Sequence, residues 1–316
     1  MLRAFRRATR AAGATRTRER SGQHKRGGAG VRPRGLDHVV WPVRDLDAAA
    51  ALFETLGFTV TPRARHPWGT ENRLVQLDGA FLELLTIGGD AAIPDAAPGT
   101  LSFGAFNRDF LARGEGGSMI VLESGDAAAD RASFEAAGLK VFEPFSFGRT
   151  QELSDGTTRE VRFDLTFVEN PLDASLGYFT CHNLFPENFW SSAYQTHGNG
   201  VRALEAVVLT TDEPADQAEF WKAFTGRREM RATSLGITIS TPRGDIRIMT
   251  PAAYGALFGD DMAPVEGNRL AALVLAGGDV EAIARRAADA GLSMDRVSEG
   301  LRLRAADAFG ITLVFV

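Results

Sequence analysis

Apolar positions recur along this chain with two alternating periods. Short runs with strand-like patterning, "LDHVVWPV", "SMIVLES", "LEAVVLTT" and "LAALVLAG", each lead into an Ala-rich stretch of helical character. The helical stretches are "DLDAAAALFETLGF" (45–58), "DAAADRASFEAAGL" (126–139), "EPADQAEFWKAFTG" (213–226) and "DVEAIARRAADAGL" (279–292). Each opens on an acidic residue, which suits the positive end of a helix dipole. Each closes at a glycine, Gly57, Gly138, Gly226 or Gly291. Glycine there accepts the left-handed conformation that ends a helix. Further strand-like runs follow, such as "NRLVQL" and "AFLELLTI" after the first helix. The chain is therefore a β-α-β-β(-β) unit written four times, an α+β pattern. The glycines are 81, 88 and 65 residues apart, too irregular for a solenoid. Paired units sharing a curved sheet are expected instead.

Alternation sorts the side chains of these strands by face. In "LDHVVWPV", Val39, Trp41 and Val43 share one face, and His38 and Val40 the other. In "AFLELLTI", Leu82 and Leu84 share one face, and Phe81, Glu83 and Leu85 the other. If the all-apolar faces meet the helices, His38 and Glu83 look into one concavity. An imidazole or a carboxylate in such a strand needs a hydrogen-bond partner, a metal, or payment for desolvation. Two plainer roles compete: His38 bonded to a backbone carbonyl in the core, and Glu83 paired with Arg73 of the neighbouring strand.

The loop "RHPWGTENRL" (65–74) groups His66, Trp68, Asn72 and Arg73 as candidates for a pocket mouth. Arg73 has the planar fork that clamps a carboxylate or phosphate. The same loop also reads as a hairpin with a Gly turn and a Trp lid over the core. In "LFPENFW", Phe185, Phe189 and Trp190 wall a cavity or pack between domains. His197, before "GNG", reads as a linker residue.

Composition narrows the picture further. No apolar run approaches the roughly 18 residues that span a bilayer, so no membrane partner is expected. Cys181 is the single cysteine, which rules out an internal disulfide and suits a reducing cytoplasm. Residues 1–34 carry eleven Lys+Arg and one Glu, leaving 24 Lys+Arg against 39 Asp+Glu in the remainder. An acidic body argues against nucleic acid as its partner. The basic segment has too few apolar side chains to order itself. A nucleic-acid or lipid arm, a transit peptide and a leader absent from the mature protein all fit it. The G-x-S-x-G, P-loop and H-E-x-x-H patterns are absent.

Residues 35–87 closely resemble a first module of the vicinal oxygen chelate superfamily, within it the glyoxalase-like proteins. "YFTCHNLFPENFW" (178–190) is similar to the close of a second module. The resemblance implies four βαβββ-type units paired into two cup-shaped domains of the glyoxalase and bleomycin-resistance kind. With 1–34 expected from its composition to be a disordered basic tail, it implies a first domain over 35–196 with the site and a degenerate second domain over 197–316. In that family metal ligands come from the first and last strands of each unit. His38 and Glu83 fall on the two positions of the first unit, with Glu83 also a candidate for proton transfer. Counting back from Gly138 puts Met119 at the next position, and the last strand offers Thr180, Cys181 or His182, of which His182 is taken as third ligand. In the second pair of units the positions fall on Ala206, Arg247, Ala272 and Val314, none of them a ligand. The implied cofactor is a divalent metal ion or none. The implied partner is a small oxygenated molecule, bound near His66, Trp68, Asn72, Arg73 and Trp190. A metal-dependent lyase or isomerase, a metal-free binding protein and a relative of ring-cleaving dioxygenases are the functions this leaves open.

Overall fold

A computed structural model describes residues 32–152, 158–259 and 267–316. The basic segment before Arg32 lies outside the described residues. Within them the strands form two eight-stranded sheets, both curled. The first sheet comprises β1 (Leu36–Pro42), β2 (Ala64–Arg65), β3 (Thr70–Gln76), β4 (Phe81–Ile87), β5 (Met119–Glu123), β6 (Phe145–Glu152), β7 (Thr158–Asn170) and β8 (Asp173–Asn183). Its order is β2-β3-β4-β1-β5-β8-β7-β6. The second comprises β9 (Ala203–Thr210), β10 (Arg231–Thr233), β11 (Gly236–Ser240), β12 (Asp245–Met249), β13 (Arg269–Ala276), β14 (Met294–Val297), β15 (Gly300–Leu303) and β16 (Thr312–Phe315). Its order, β10-β11-β12-β9-β13-β16-β15-β14, repeats the first.

The helices are α1 (Leu46–Thr55), α2 (Phe103–Arg113), α3 (Ala127–Ala136), α4 (Pro186–Phe189), α5 (Ser192–Gln195), α6 (Ala218–Thr225), α7 (Pro251–Phe258) and α8 (Val280–Asp289). Asp45, Asp126 and Asp279 accept the backbone N–H three residues on and so cap α1, α3 and α8. Before α6 a 3-10 turn, Pro214–Gln217, replaces that cap. Gly57, Gly138, Gly226 and Gly291 all have positive φ, as their place after a helix requires. The periodicity did not announce α2 and α7. Both follow a hairpin and drop residues onto the concave side of a sheet: Phe103 in the first, Tyr254 and Phe258 in the second. No helix among the described residues is long and apolar enough to cross a membrane.

Alternation divides β1 and β4 as their sequences require. Val39, Trp41, Val43, Leu82 and Leu84 join the main core, and Val40 and Leu85 a separate cluster on the other face. The main core is continuous across both sheets, taking in Trp41 and Phe53 with Val207, Trp221 and Phe315. Trp41 donates its indole N–H to the carbonyl of Phe309 at 2.9 Å. Phe309 is the one described non-glycine residue at positive φ, +47°. Arg34, grouped with the basic tail in the sequence, belongs to the folded body. It is 4 % exposed and donates to Asp130 at 2.7 Å and to the Phe224 carbonyl at 3.0 Å, tying α3 to α6.

His197 is likewise a packed residue rather than a linker. Its Nδ1 accepts from the Thr59 N–H at 3.0 Å, and its Nε2–H donates to the Gln76 carbonyl at 2.8 Å. Burial pushes this imidazole below its ordinary value, against the upward pull of the Gln76 bond. The unfolded chain therefore binds a proton here more readily than the folded one. Stability from this group is present above the ordinary imidazole value and is lost as pH falls below about 6.5. His197→Ala is expected to cost about 2–4 kcal/mol near neutral pH by leaving both backbone groups unpaired. It should also flatten the acid-side fall in stability. Urea unfolding of both proteins at about pH 7.5 and about pH 5.5 checks this.

Candidate functional site

The site begins with a fault in a strand. β1 lies between β4, parallel, and β5, antiparallel. The β1–β5 register slips between Leu36 and His38, so Asp37 is the extra residue of a bulge. The bulge lets neighbours meet that ordinary alternation would hold apart. Asp37 Oδ1 lies 2.5 Å from His38 Nδ1. A carboxylate there takes the Nδ1 proton and leaves Nε2 with its lone pair. That Nε2 faces Glu83 Oε2 at 3.9 Å. Phe81, the register partner of His38, stacks on its ring with centroids 4.2 Å apart.

Glu83 is 5 % exposed. Its Oε1 accepts from Asn72 Nδ2 at 2.6 Å. The same oxygen lies 3.8 Å from His66 Nε2, and His66 Nδ1 is 2.8 Å from Thr70 Oγ1. Burial lowers the His66 pKa, outweighing the opposing pull of Glu83. His66 is therefore neutral near pH 7. A buried carboxylate thus lies between two imidazoles, each with its far nitrogen already engaged.

Aromatic rings enclose this group. Trp68 stacks on His66 at 4.6 Å and meets Phe147 at 4.9 Å. The contacts continue from Phe147 to Phe163, Phe189 and Phe81, which stacks on His38. Phe179 and Phe103 close the belt from His38 back to Trp68. The cavity among these rings, open on one side, measures about 60 Å³. That is room for an ion with water, or for the reacting end of a small molecule. Arg149, an exposed residue, stands at its edge. The Trp68 indole N–H is buried and has no acceptor among the described residues. Cys181 also lines the cavity, but burial drives its thiol well above its ordinary value, so it stays protonated and unreactive. A larger cleft of about 800 Å³ between α2, the β7–β8 turn and β13 has no imidazole in its lining. Of the two, the smaller cavity is the one whose lining brings imidazoles and a carboxylate together.

His38, Glu83, His66 and Trp68 all line this cavity, and Asn72 bonds Glu83. Three other candidates lie elsewhere. Arg73 follows Asn72 and so points to the opposite face, where it donates to the Thr61 carbonyl at 2.9 Å and to Glu54 at 3.0 Å. Glu83 is thus paired with Asn72 and not with Arg73. His182 alternates with Cys181 and shares the face of Tyr178, which packs in the main core. Trp190 stands behind the wall, against Phe81 at 6.0 Å and Phe189 at 5.0 Å. Asp37 and the belt residues Phe103, Phe147, Phe163 and Phe179 were not foreseen. Asp37 needed the bulge, which has no pattern of its own. The phenylalanines of "FSFGR" and "RFDLTF" do alternate in the sequence.

Register also identifies the positions that match His38 and Glu83 in the second unit. His38 pairs with Phe81 in the first unit, and Met119 with Gly177 in the second. Two residues on from these partners are Glu83 and Phe179. The four matching positions are therefore His38, Glu83, Met119 and Phe179, of which only two are metal donors. Among the described residues no three His, Cys, Asp or Glu side chains stand close enough to hold a metal ion. In kind, His38 and Glu83 do fit a divalent cation. A lone-pair nitrogen and an open carboxylate oxygen face each other, with a second carboxylate orienting the imidazole from behind.

A family model described as a glyoxalase-like domain matches residues 36–225. The chain belongs to this family. The match covers the first sheet and runs on through β9 to Thr225, the last residue of α6. Among solved structures, a hypothetical protein from Staphylococcus aureus is 12% identical, with a TM-score of 0.57 over 90% of this chain and 100% of that one. A Mn(II)-bound glyoxalase from Novosphingobium aromaticivorans is 13% identical, with a TM-score of 0.51 over 90% of this chain and 82% of that one. A variant of 4-hydroxymandelate synthase from Streptomyces coelicolor is 14% identical, with a TM-score of 0.52 over 84% and 77%. These likenesses establish the glyoxalase-like fold. Comparison with curated proteins gives no match.

Because the Glu83 charge raises the His66 pKa against burial, Glu83→Gln should lower it further in metal-free protein. Imidazole titration by NMR, comparing the variant with the wild type, checks the sign. An upward or absent shift would mean that the two groups do not interact.

Proposed function

We propose that this glyoxalase-like protein is an enzyme of lyase or isomerase type, acting on a small oxygenated molecule beside a divalent cation held by His38 and Glu83. The observation that carries the proposal is the pairing of His38 Nε2 with Glu83 Oε2 across 3.9 Å inside an aromatic enclosure. A purely sequestering cup has no use for a buried acid and a carboxylate-backed imidazole together. The Mn(II)-bound glyoxalase of the same fold supports the cation. When bound, a divalent cation stabilises negative charge that develops on a substrate oxygen.

The chain supplies the rest. Asn72 fixes one oxygen of Glu83, and the other stays open to the cavity for proton transfer. Asp37 and Phe81 hold the His38 ring in its tautomer and plane. The aromatic belt excludes bulk water and accepts the apolar part of a ligand. The Trp68 indole N–H is a donor in want of an oxygen. We place the site on the first sheet, with the second as its structural partner. We assign the protein to a reducing compartment on the strength of its single free cysteine.

One set of observations favours a second function. Met119 and Phe179 occupy two of the four matching positions, and the cavity wall is mostly aromatic. A metal-free protein that binds small molecules needs nothing more.

Metal analysis and calorimetry on tag-free protein separate the two. The enzyme requires about one Mn²⁺, Zn²⁺, Ni²⁺ or Fe²⁺ per chain, with affinity falling by at least about 10–100-fold in His38→Ala and in Glu83→Gln. A folded wild type that takes up none of these ions would leave the binding protein.

A further inference from the structure

We infer that the ligand of this cavity is a small organic acid, whose carboxylate is held at the mouth by Arg149 while its other, oxygenated end lies beside Glu83. The inference rests on the proposed function for the reacting end, and adds to it the class of substrate.

Arg149 comes from β6, the outermost strand on its side of the first sheet. Phe145, Phe147 and Arg149 alternate along that strand, and Phe147 pairs in register with Phe163 as Arg149 does with Val161. Phe147, Phe163 and Arg149 all line the cavity, and Val161 packs in the same cluster. The row of rings thus ends on a guanidinium at the cavity edge. Phe147 and Arg149 also line a groove of about 350 Å³, so a ligand longer than the cavity has room beyond it.

This guanidinium has no hydrogen-bond acceptor and no ion-pair partner among the described residues. Glu83 does not fill that place, because its neighbours are Asn72 and the two imidazoles. The Arg149 charge nevertheless reaches into the cavity, where it opposes protonation of His66. Loss of water at the mouth draws the Arg149 pKa down, against the pull of Glu83. A guanidinium stays ionised through such shifts. A carboxylate completes it, because two carboxylate oxygens match the guanidinium fork.

The two ends of the cavity lack different things. Arg149 offers only donors. Glu83 Oε2 and His38 Nε2, 3.9 Å apart, are acceptors. A molecule with an acid at one end and a hydroxyl at the other meets both, its carbon skeleton lying against Phe147, Phe163 and Phe179. The reverse orientation would set a carboxylate against Glu83. Charge also selects among acids, since a carboxylate leaves less excess negative charge near Glu83 than a phosphate does.

The test compares 3-hydroxybutyrate with 3-hydroxybutyramide, which lacks the charge, with butyrate, which lacks the hydroxyl, and with inorganic phosphate. Binding to tag-free protein, with and without Mn²⁺, is followed by calorimetry and by the NMR signal of the Trp68 indole N–H. Trp68→Phe identifies that signal among the four tryptophans. The hydroxy acid is expected to shift it saturably and to bind at least about tenfold tighter than the amide or phosphate. Butyrate should bind at least about threefold more weakly than the hydroxy acid. Arg149→Gln should bring the hydroxy acid down to the level of the amide without changing the affinity of the amide, and Arg149→Lys should restore part of the difference. Equal binding of acid and amide, an acid preference that survives Arg149→Gln, or no binding of the acid would each overturn the role of Arg149. Tighter binding of phosphate would overturn the carboxylate, and butyrate binding as well as the hydroxy acid would overturn the inner oxygen. Uptake of Mn²⁺ by protein that ignores the acid sinks this inference alone. Binding of the acid by protein that takes up no Mn²⁺ removes the cation and leaves Arg149 as the anchor.

Discussion

The site depends on keeping a carboxylate inside an aromatic enclosure. A charge so placed is costly unless the protein replaces the water it has lost. Here the Asn72 amide donates to it at 2.6 Å, and two imidazoles stand 3.8 and 3.9 Å away, all drawn from β1 and the β2–β3–β4 ribbon. The bulge at Asp37 belongs to the same arrangement, because it sets the tautomer of the ring nearest the acid.

Much of the framework was legible in the sequence. The acidic caps and terminal glycines mark the four main helices because capping is local chemistry. The faces of β1 and β4 follow from alternation alone, which is why His38 and Glu83 could be placed together. Tertiary facts were not legible. His182 and Cys181 are adjacent in sequence, and one step of register decides which reaches the cavity. The same parity sends Arg73 to the helix side while Asn72 faces in. The bulge at Asp37 and the belt built from β6, β7 and α2 depend on strand pairing between distant segments, which no short window contains.

The second sheet repeats the wiring without the chemistry. Val208 faces Arg247 in register as Val40 faces Glu83, and Ala206 stands where His38 does. Arg247 pairs with Glu299 at 2.6 Å. The concave side is filled by Tyr254 and Phe258 of α7, packed against Ala206, Val208 and Val314. In the first sheet α2 puts Phe103 into the corresponding cluster with the half-buried Phe106 against it, and a cavity remains.

The bond from Trp41 to the Phe309 carbonyl joins segments 268 residues apart in the chain. Trp41 lies on the strand that bears His38, while Phe309 comes from near the end of the polypeptide. A gene split between the two sheets would strand a buried indole on one product and a strained, partnerless turn on the other.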